Sequence, residues 1–321
     1  MKGKQDMKKY LFYAAMMLCT MPAITACSDD EDTTPSEYEQ NLFSPAESDQ
    51  SPSAQLRRQF KQEVGCYLLF NDTLKHEQNG TDAYGNLLWN TQLVDLTYQF
   101  IGMPMNDTKY TFEYLTDFAK QKEATELLKN KLAKRLGKAL PYSILLVDNI
   151  KQWTNSSGRW ELDEGSSWSP KDPFPKYVLG TRCYAFALHG NEAFDDEGYF
   201  DDILMSIVIN KVNNLPESKL AKFLSYVADY YDEYGNPRQK SSLGYDDYVT
   251  DDDAARTLGY WQDRGYYYFD YGTEDRDHYI EAALTYSVAE VEEMMAGYPI
   301  VIERFKIMRQ LIIDEFGINL K

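Results

Sequence analysis

The sequence predicts a mixed α+β fold, with a small N-terminal sheet and a mostly helical C-terminal half. Three observations carry this reading. Residues 64–70 and 142–147 are short, bounded apolar runs of the length of buried strands. Residues 200–213 place Ile203, Leu204, Ile207 and Val208 on one side of a helix, and further periodic stretches follow to the end of the chain. With 321 residues, 43% hydrophobic and 14% aromatic, the chain can bury a sizeable core and is not disordered by composition.

Residues 54–63 read as a short charged helix leading into the strand at 64–70, which Asn71 and Asp72 close. Residues 77–85 are polar and punctuated by glycine, hence loop. A helix is expected from about Tyr110, with Thr111 as its candidate cap. Another spans 120–137, with Leu127, Leu128, Leu132 and Leu136 at helical spacing and Gly137 as its stop. The run at 142–147 is the clearest strand. Residues 153–175 hold Gly158, Gly165, Pro170, Pro173 and Pro175 and read as loop. Residues 177–188 alternate weakly, as a strand would. Helices are then expected at 200–213 and 219–231, with loop over 232–250. A short helix at 252–260 is capped by Asp251 or Asp252. A helix at 275–295 ends at Gly297 and Pro299, and the last, at 301–315, stops at Gly317. There is no internal repeat.

The formal net charge is −18, from 33 basic and 51 acidic residues. Such a chain repels phosphate backbones, so no nucleic-acid partner is expected. The N-terminus reads as an address. Lys2, Lys4, Lys8 and Lys9 form a basic start, with Met7 as a second candidate start, and residues 10–24 are largely apolar but too short to span a membrane. Ile24-Thr25-Ala26-Cys27 resembles the lipobox of a bacterial lipoprotein signal. On that reading residues 1–26 are a signal peptide and Cys27 carries the lipid; the alternative is an ordinary cleavable signal with an incidental cysteine. Residues 27–53, opening with Asp29, Asp30, Glu31 and Asp32, are expected to be a disordered acidic tether. The acidic run after Cys27 resembles the surface-export signal of Bacteroidetes lipoproteins. Residues 54–321 then form a single domain. Cys66 and Cys183 either pair as a disulfide or stand as two small buried residues, and no C-x-x-C spacing suggests a thiolate metal site.

Several constellations invite a functional reading. Asp195, Asp196, Glu197, Asp201 and Asp202 are oxygen ligands for calcium or, more simply, a solvated acidic loop that caps the next helix; their spacing is not that of an EF-hand. Tyr226, Tyr230 and Tyr231, and Tyr266, Tyr267, Tyr268 and Tyr271, could stack on sugar rings or fill a core. Trp153, Trp160 and Trp168 could form a glycan platform. Histidine is scarce: His76, His189 and His278. His278 and Glu281 share a helical face, and with His189 they are the weak candidates for a metal site; the plainer reading of His278 is a helix-start histidine beside an acid.

The C-terminal third carries a resemblance. Asp252-Asp253-Ala254-Ala255-Arg256-Thr257-Leu258-Gly259-Tyr260, then Asp277-His278-Tyr279-Ile280-Glu281-Ala282, then a closing helix over 302–320, follow one another in an order similar to that of the zinc-binding metallopeptidase lipoproteins of Bacteroidetes. Residues 58–72 also resemble that family's opening, so the resemblance spans 54–321. It implies a zincin-like metallopeptidase-type domain. The family's diagnostic motif, H-E-x-x-H, puts two histidines at i and i+4 on one helix face, with glutamate as base for a zinc-bound water. This chain has none. In the best register Ile209 and Asn213 stand where the histidines would be, and Asn210 where the glutamate would be. Isoleucine has no lone pair, asparagine cannot act as a base, and Glu281 alone among the implied ligands is retained.

The resemblance with this departure implies a degenerate, catalytically inactive surface lipoprotein of the outer membrane. It would act as an accessory or binding protein beside outer-membrane nutrient-uptake proteins, held to the membrane by its lipid, with a peptide or glycan ligand and no cofactor. The alternatives are an active hydrolase with a non-standard zinc site and a glycan-binding surface lipoprotein. Glu281 is expected on the inner side of its helix, facing Ile209 and Asn213, with Asn210 and Asn213 as hydrogen-bond donors in a relict polar cluster.

Overall fold

The structure is a computed structural model that describes residues 41–94, 96, 107–188 and 198–320. The expected signal peptide, Cys27, the expected tether up to residue 40, His189, and Asp195, Asp196 and Glu197 lie outside the described residues. The chain divides into Met1–Asn41 and Leu42–Lys321, and every described helix and strand lies in the second unit.

The fold is α+β. Its sheet is organised around one long strand, β5 (Ser143–Ser156). β1 (Tyr67–Leu69) and β10 (Cys183–Ala187) run parallel to the first half of β5, both aligned with Ser143 to Leu145 and therefore on opposite edges. β4 (Thr108–Tyr114) continues antiparallel beyond β1, and β6 (Arg159–Leu162) antiparallel beyond β10. β9 (Tyr177–Leu179) closes the outer edge of β10. Two ribbons stand apart from this sheet: β2 (Thr73–Thr81) with β3 (Leu87–Leu93), and β7 (Gly165–Ser166) with β8 (Ser169–Pro170).

Residues 144–147 are an unbroken apolar run because both faces of the sheet are covered there. Ile144 and Leu146 join Leu68, Phe70, Tyr184 and Phe186 in the main core beneath the helices. Leu145 and Val147 join Leu69, Cys183, Ala185 and Val178 in a smaller core on the other face. Cys66 belongs to the first core and Cys183 to the second, and both are free and buried. Burial pushes each thiol up to about 12.

All the helices but Asp252–Leu258, whose Ala254 and Ala255 belong to a smaller cluster, pack on the main core. α1 (Pro52–Val64) starts at a Ser51 cap. α2 (Phe118–Leu128) continues through a π segment, Lys129–Ala133, to Leu136. It stops at Gly137, where φ is +51° and a Cβ would collide with the Phe316 carbonyl oxygen. α3 (Tyr199–Asn213) buries Ile203, Leu204, Ile207 and Val208, as its periodicity requires. α4 (Glu217–Leu224), α5 (Asp252–Leu258, capped by Asp251), α6 (Gly272–Thr285), α7 (Val288–Met294) and α8 (Pro299–Phe316) complete the set. α8 buries Val301, Arg304, Phe305, Met308, Arg309, Ile312 and Phe316, a stripe of period near four that lies against α4, α5 and α6.

Several expectations are corrected. The helix expected from Tyr110 is strand β4; Thr108, Tyr110, Thr111, Phe112 and Tyr114 are β-branched or aromatic and find the free edge of β5. The loop at 77–85 is most of an exposed hairpin whose turn is closed by Asp82 Oδ1, which accepts from the Tyr84 and Asn86 amides. Residues 153–175 hold the end of β5 with β6, β7 and β8. The helix expected over 219–231 ends at Leu224, and a 3-10 turn, Ala228–Tyr230, comes after it. The helix expected over 275–295 is two, because Ser287 and Glu290 form a capping box that starts α7 afresh. Part of the segment read as tether is packed against the body: Phe43 is buried against Tyr142, and Arg57 donates to its carbonyl. Arg58 also donates to the Ala46 and Asp49 carbonyls, so this stretch is docked by one aromatic and by hydrogen bonds from α1.

Candidate functional site

α3 and α6 meet, but not as expected. Asn213 Nδ2 donates to Asp277 Oδ1 at 2.9 Å, and Asn213 Oδ1 is buried without a partner. Ile209 is half-buried and packs against the main core. Asn210 is exposed, and so is Glu281, one turn beyond Asp277. The expectation of a buried Glu281 in a relict polar cluster is therefore corrected. Asp277 takes the asparagine amide, and Glu281, with no donor to compensate burial, remains in water.

His278 is half-buried and engaged on both nitrogens. Nδ1 lies 2.9 Å from Asp270 Oδ2, and Nε2 lies 3.0 Å from Gln262 Nε2. Asp270 is almost completely buried and also accepts from the Tyr271 amide. Burial pushes its carboxyl up to about 6, and its hydrogen bond raises His278 above the ordinary histidine value. With Nδ1–H donating to Asp270, Nε2 accepts from Gln262. His278 is thus held by protein groups rather than presented with Glu281 to a shared ion. Among the described residues no three His, Cys, Asp or Glu side chains converge to hold a metal.

Among the described residues two ion pairs are buried outright. Arg304 meets Asp275 through Nη2–Oδ2 at 2.6 Å and Nη1–Oδ1 at 3.2 Å, both side chains being 1% exposed or less. Nη1 also donates to the Gly259 carbonyl, Nε to that of Phe223, and the guanidinium lies over the Phe223 and Tyr279 rings. Lys240 donates to Asp263 Oδ2 at 2.6 Å and to the Val249 and Gly265 carbonyls, while Asp263 accepts from the Asp251 and Gly265 amides. Both clusters are satisfied on every side and hold loops and helices together.

The tyrosine segments divide. Tyr230 and Tyr231 pack with Tyr260 and Phe269 in a third small core, whereas Tyr266 and Tyr267 are exposed. Trp153, Trp160 and Trp168 share no ring contact: Lys109 bridges the first two, and Trp168, 95% exposed, tips the β7–β8 ribbon. Asp201 pairs with Arg135 across α2 and α3, and Asp202 lies 3.9 Å from Lys176.

A groove of about 560 Å³ opens between the end of α3, α4 and the start of α6. Leu215, Leu220, Leu224, Val227 and Tyr231 form apolar walls, and Arg276 lines it from α6. Sequence reasoning missed Arg276. It stands between Asp275 and Asp277 and so looks like an ordinary paired surface charge. Yet Asp275 is taken by Arg304 and Asp277 by Asn213.

In comparisons with known proteins, no family model, no curated protein and no solved structure matches this chain.

Proposed function

We propose that the chain is a non-catalytic binding protein: a degenerate relative of the zinc metallopeptidase lipoproteins of Bacteroidetes, zincin-like in fold, held at the outer membrane through a lipidated Cys27. It serves there as an accessory to nutrient uptake. The observation that carries the loss of catalysis is at α3 and α6. Ile209 packs half-buried against the core, the Asn213 amide is given to Asp277, and Glu281 faces water. A zinc-bound water would need several metal ligands in that place, and of these three side chains only Glu281 can serve as one. What supports binding is the groove beside Arg276, whose volume and apolar walls suit a small ligand. The test is hydrolysis of a mixed peptide-substrate library with and without added zinc. No turnover above the Glu281→Ala variant is expected. Zinc-dependent turnover abolished by that variant overturns the proposal. A second reading, glycan contact, is favoured by the exposed Trp160 and Trp168. It predicts a fluorescence change on adding oligosaccharides that is lost in Trp168→Ala.

A further inference from the structure

The groove has a chemical polarity that names its ligand more closely; this inference rests on its being a binding site. Arg276 projects from the second turn of α6. Among the described residues it makes no ion pair and no hydrogen bond, and its Nε is shielded from water with no acceptor. The other arginines with shielded arms are all satisfied: Arg57 by the Leu68 and Phe43 carbonyls, Arg304 by Asp275, Arg309 by the Ala283 and Tyr286 carbonyls. Its two Nη groups are not shielded and also lack partners, so a carboxylate entering the groove gains charge-assisted hydrogen bonds from them.

The backbone beside Arg276 has the same polarity. Gly272 and Thr273 line the groove from the first turn of α6, a helix of 14 residues whose N-terminus carries no side-chain cap. The first amides of that turn add hydrogen-bond donors beside the arginine, while Asp270, on the Tyr271 amide, offsets the positive end of the helix. The two acids of that turn are already occupied, Glu274 by Arg264 and Asp275 by Arg304. Glu217 is the carboxylate lining the groove. It is exposed and makes no ion pair with Arg276, whose electrostatic neighbours are Asp277 and Asp275, and this acidic surround disfavours a multiply charged anion. The remaining walls are apolar.

We propose that the groove binds a monocarboxylic acid with an apolar chain, its carboxylate held by the Arg276 fork and the first amides of α6, its chain laid along Leu220, Leu224, Val227 and Tyr231. A planar carboxylate matches the two-pronged donor geometry of arginine.

Calorimetric titration of the full chain with decanoate and with 1-decanol tests this. Decanoate is expected to bind at least about tenfold more tightly. Arg276→Gln is expected to abolish that preference while leaving decanol binding unchanged, and Leu224→Trp, which fills the groove, to abolish both. Thermal melts of each variant check that it folds, and Arg276→Lys, keeping charge without the fork, is expected to recover only part of the preference. Equal binding of acid and alcohol overturns the carboxylate assignment but leaves the groove a binding site. Binding of neither overturns both. An N-acetylated dipeptide acid that binds tenfold more tightly than decanoate also overturns the assignment, in favour of a peptide C-terminus.

Discussion

Removing Asp275 leaves a guanidinium in the interior with no counter-charge. Arg304 is fully buried and holds Asp275 by two hydrogen bonds. It spans α8, α6, the Gly259 end of α5 and Phe223 in α4. Breaking one partner of a buried pair costs roughly 3–5 kcal/mol. Against the ~5–15 kcal/mol of a typical domain that is a large fraction. Asp275→Ala and Arg304→Met should each fall in this range. The arginine variant also strips the Gly259 and Phe223 carbonyls of a donor. The double variant should cost less than the sum of the two, with a coupling of order 1–3 kcal/mol, because the second change removes the charge the first one stranded. By contrast, the exposed Lys306–Glu292 pair should contribute ~0–1 kcal/mol. Urea unfolding followed by far-ultraviolet circular dichroism measures all four. A single variant costing under ~1 kcal/mol, or strictly additive costs, would refute the reasoning.

Three further outcomes are expected. The raised Asp270 and His278 values mean that the folded chain holds protons longer than the unfolded one, so this dyad's contribution is present at low pH and is lost as pH rises from ordinary carboxylate values through about 6 and past the His278 midpoint. His278→Gln should flatten that part of the stability profile, and by NMR Asp270→Asn should lower the His278 midpoint; an unmoved midpoint counts against the pairing. Gly137→Ala should destabilise by about 2 kcal/mol or more, since it combines a positive φ with a collision at Phe316, and a neutral result in the same urea assay would show that the α8 end can yield. Cys27→Ser should abolish incorporation of radiolabelled palmitate; continued labelling removes the lipobox reading.

Elements whose pattern is set by burial are legible in the sequence. α3 and α8 carry apolar residues at helical spacing because each has one face on the core, while Gly137 and Gly317 mark the stops of α2 and α8 through backbone freedom. Elements stabilised by exposed edges leave no such trace. β2 and β3 have no buried face, so 77–85 resembles loop, and β4 is fixed by the edge of β5, some forty residues away in sequence. Periodicity also runs past the end of α6 because a local capping box, not a glycine or proline, divides 275–295. At the candidate site, the absence of ligands at Ile209 and Asn213 is legible residue by residue. Which acid meets Asn213 is not, since Asp277 and Glu281 share one helical face and only packing selects between them. Arg276 is least legible of all, because its neighbours in sequence are committed elsewhere in space.

The central claim, that the α3–α6 site no longer supports metal-dependent chemistry, is tested most directly by the zinc content of the purified chain after equilibration with zinc and dialysis into metal-free buffer. The account predicts far less than one zinc per chain, unchanged by Glu281→Ala. One zinc per chain, lost on that substitution, would contradict it.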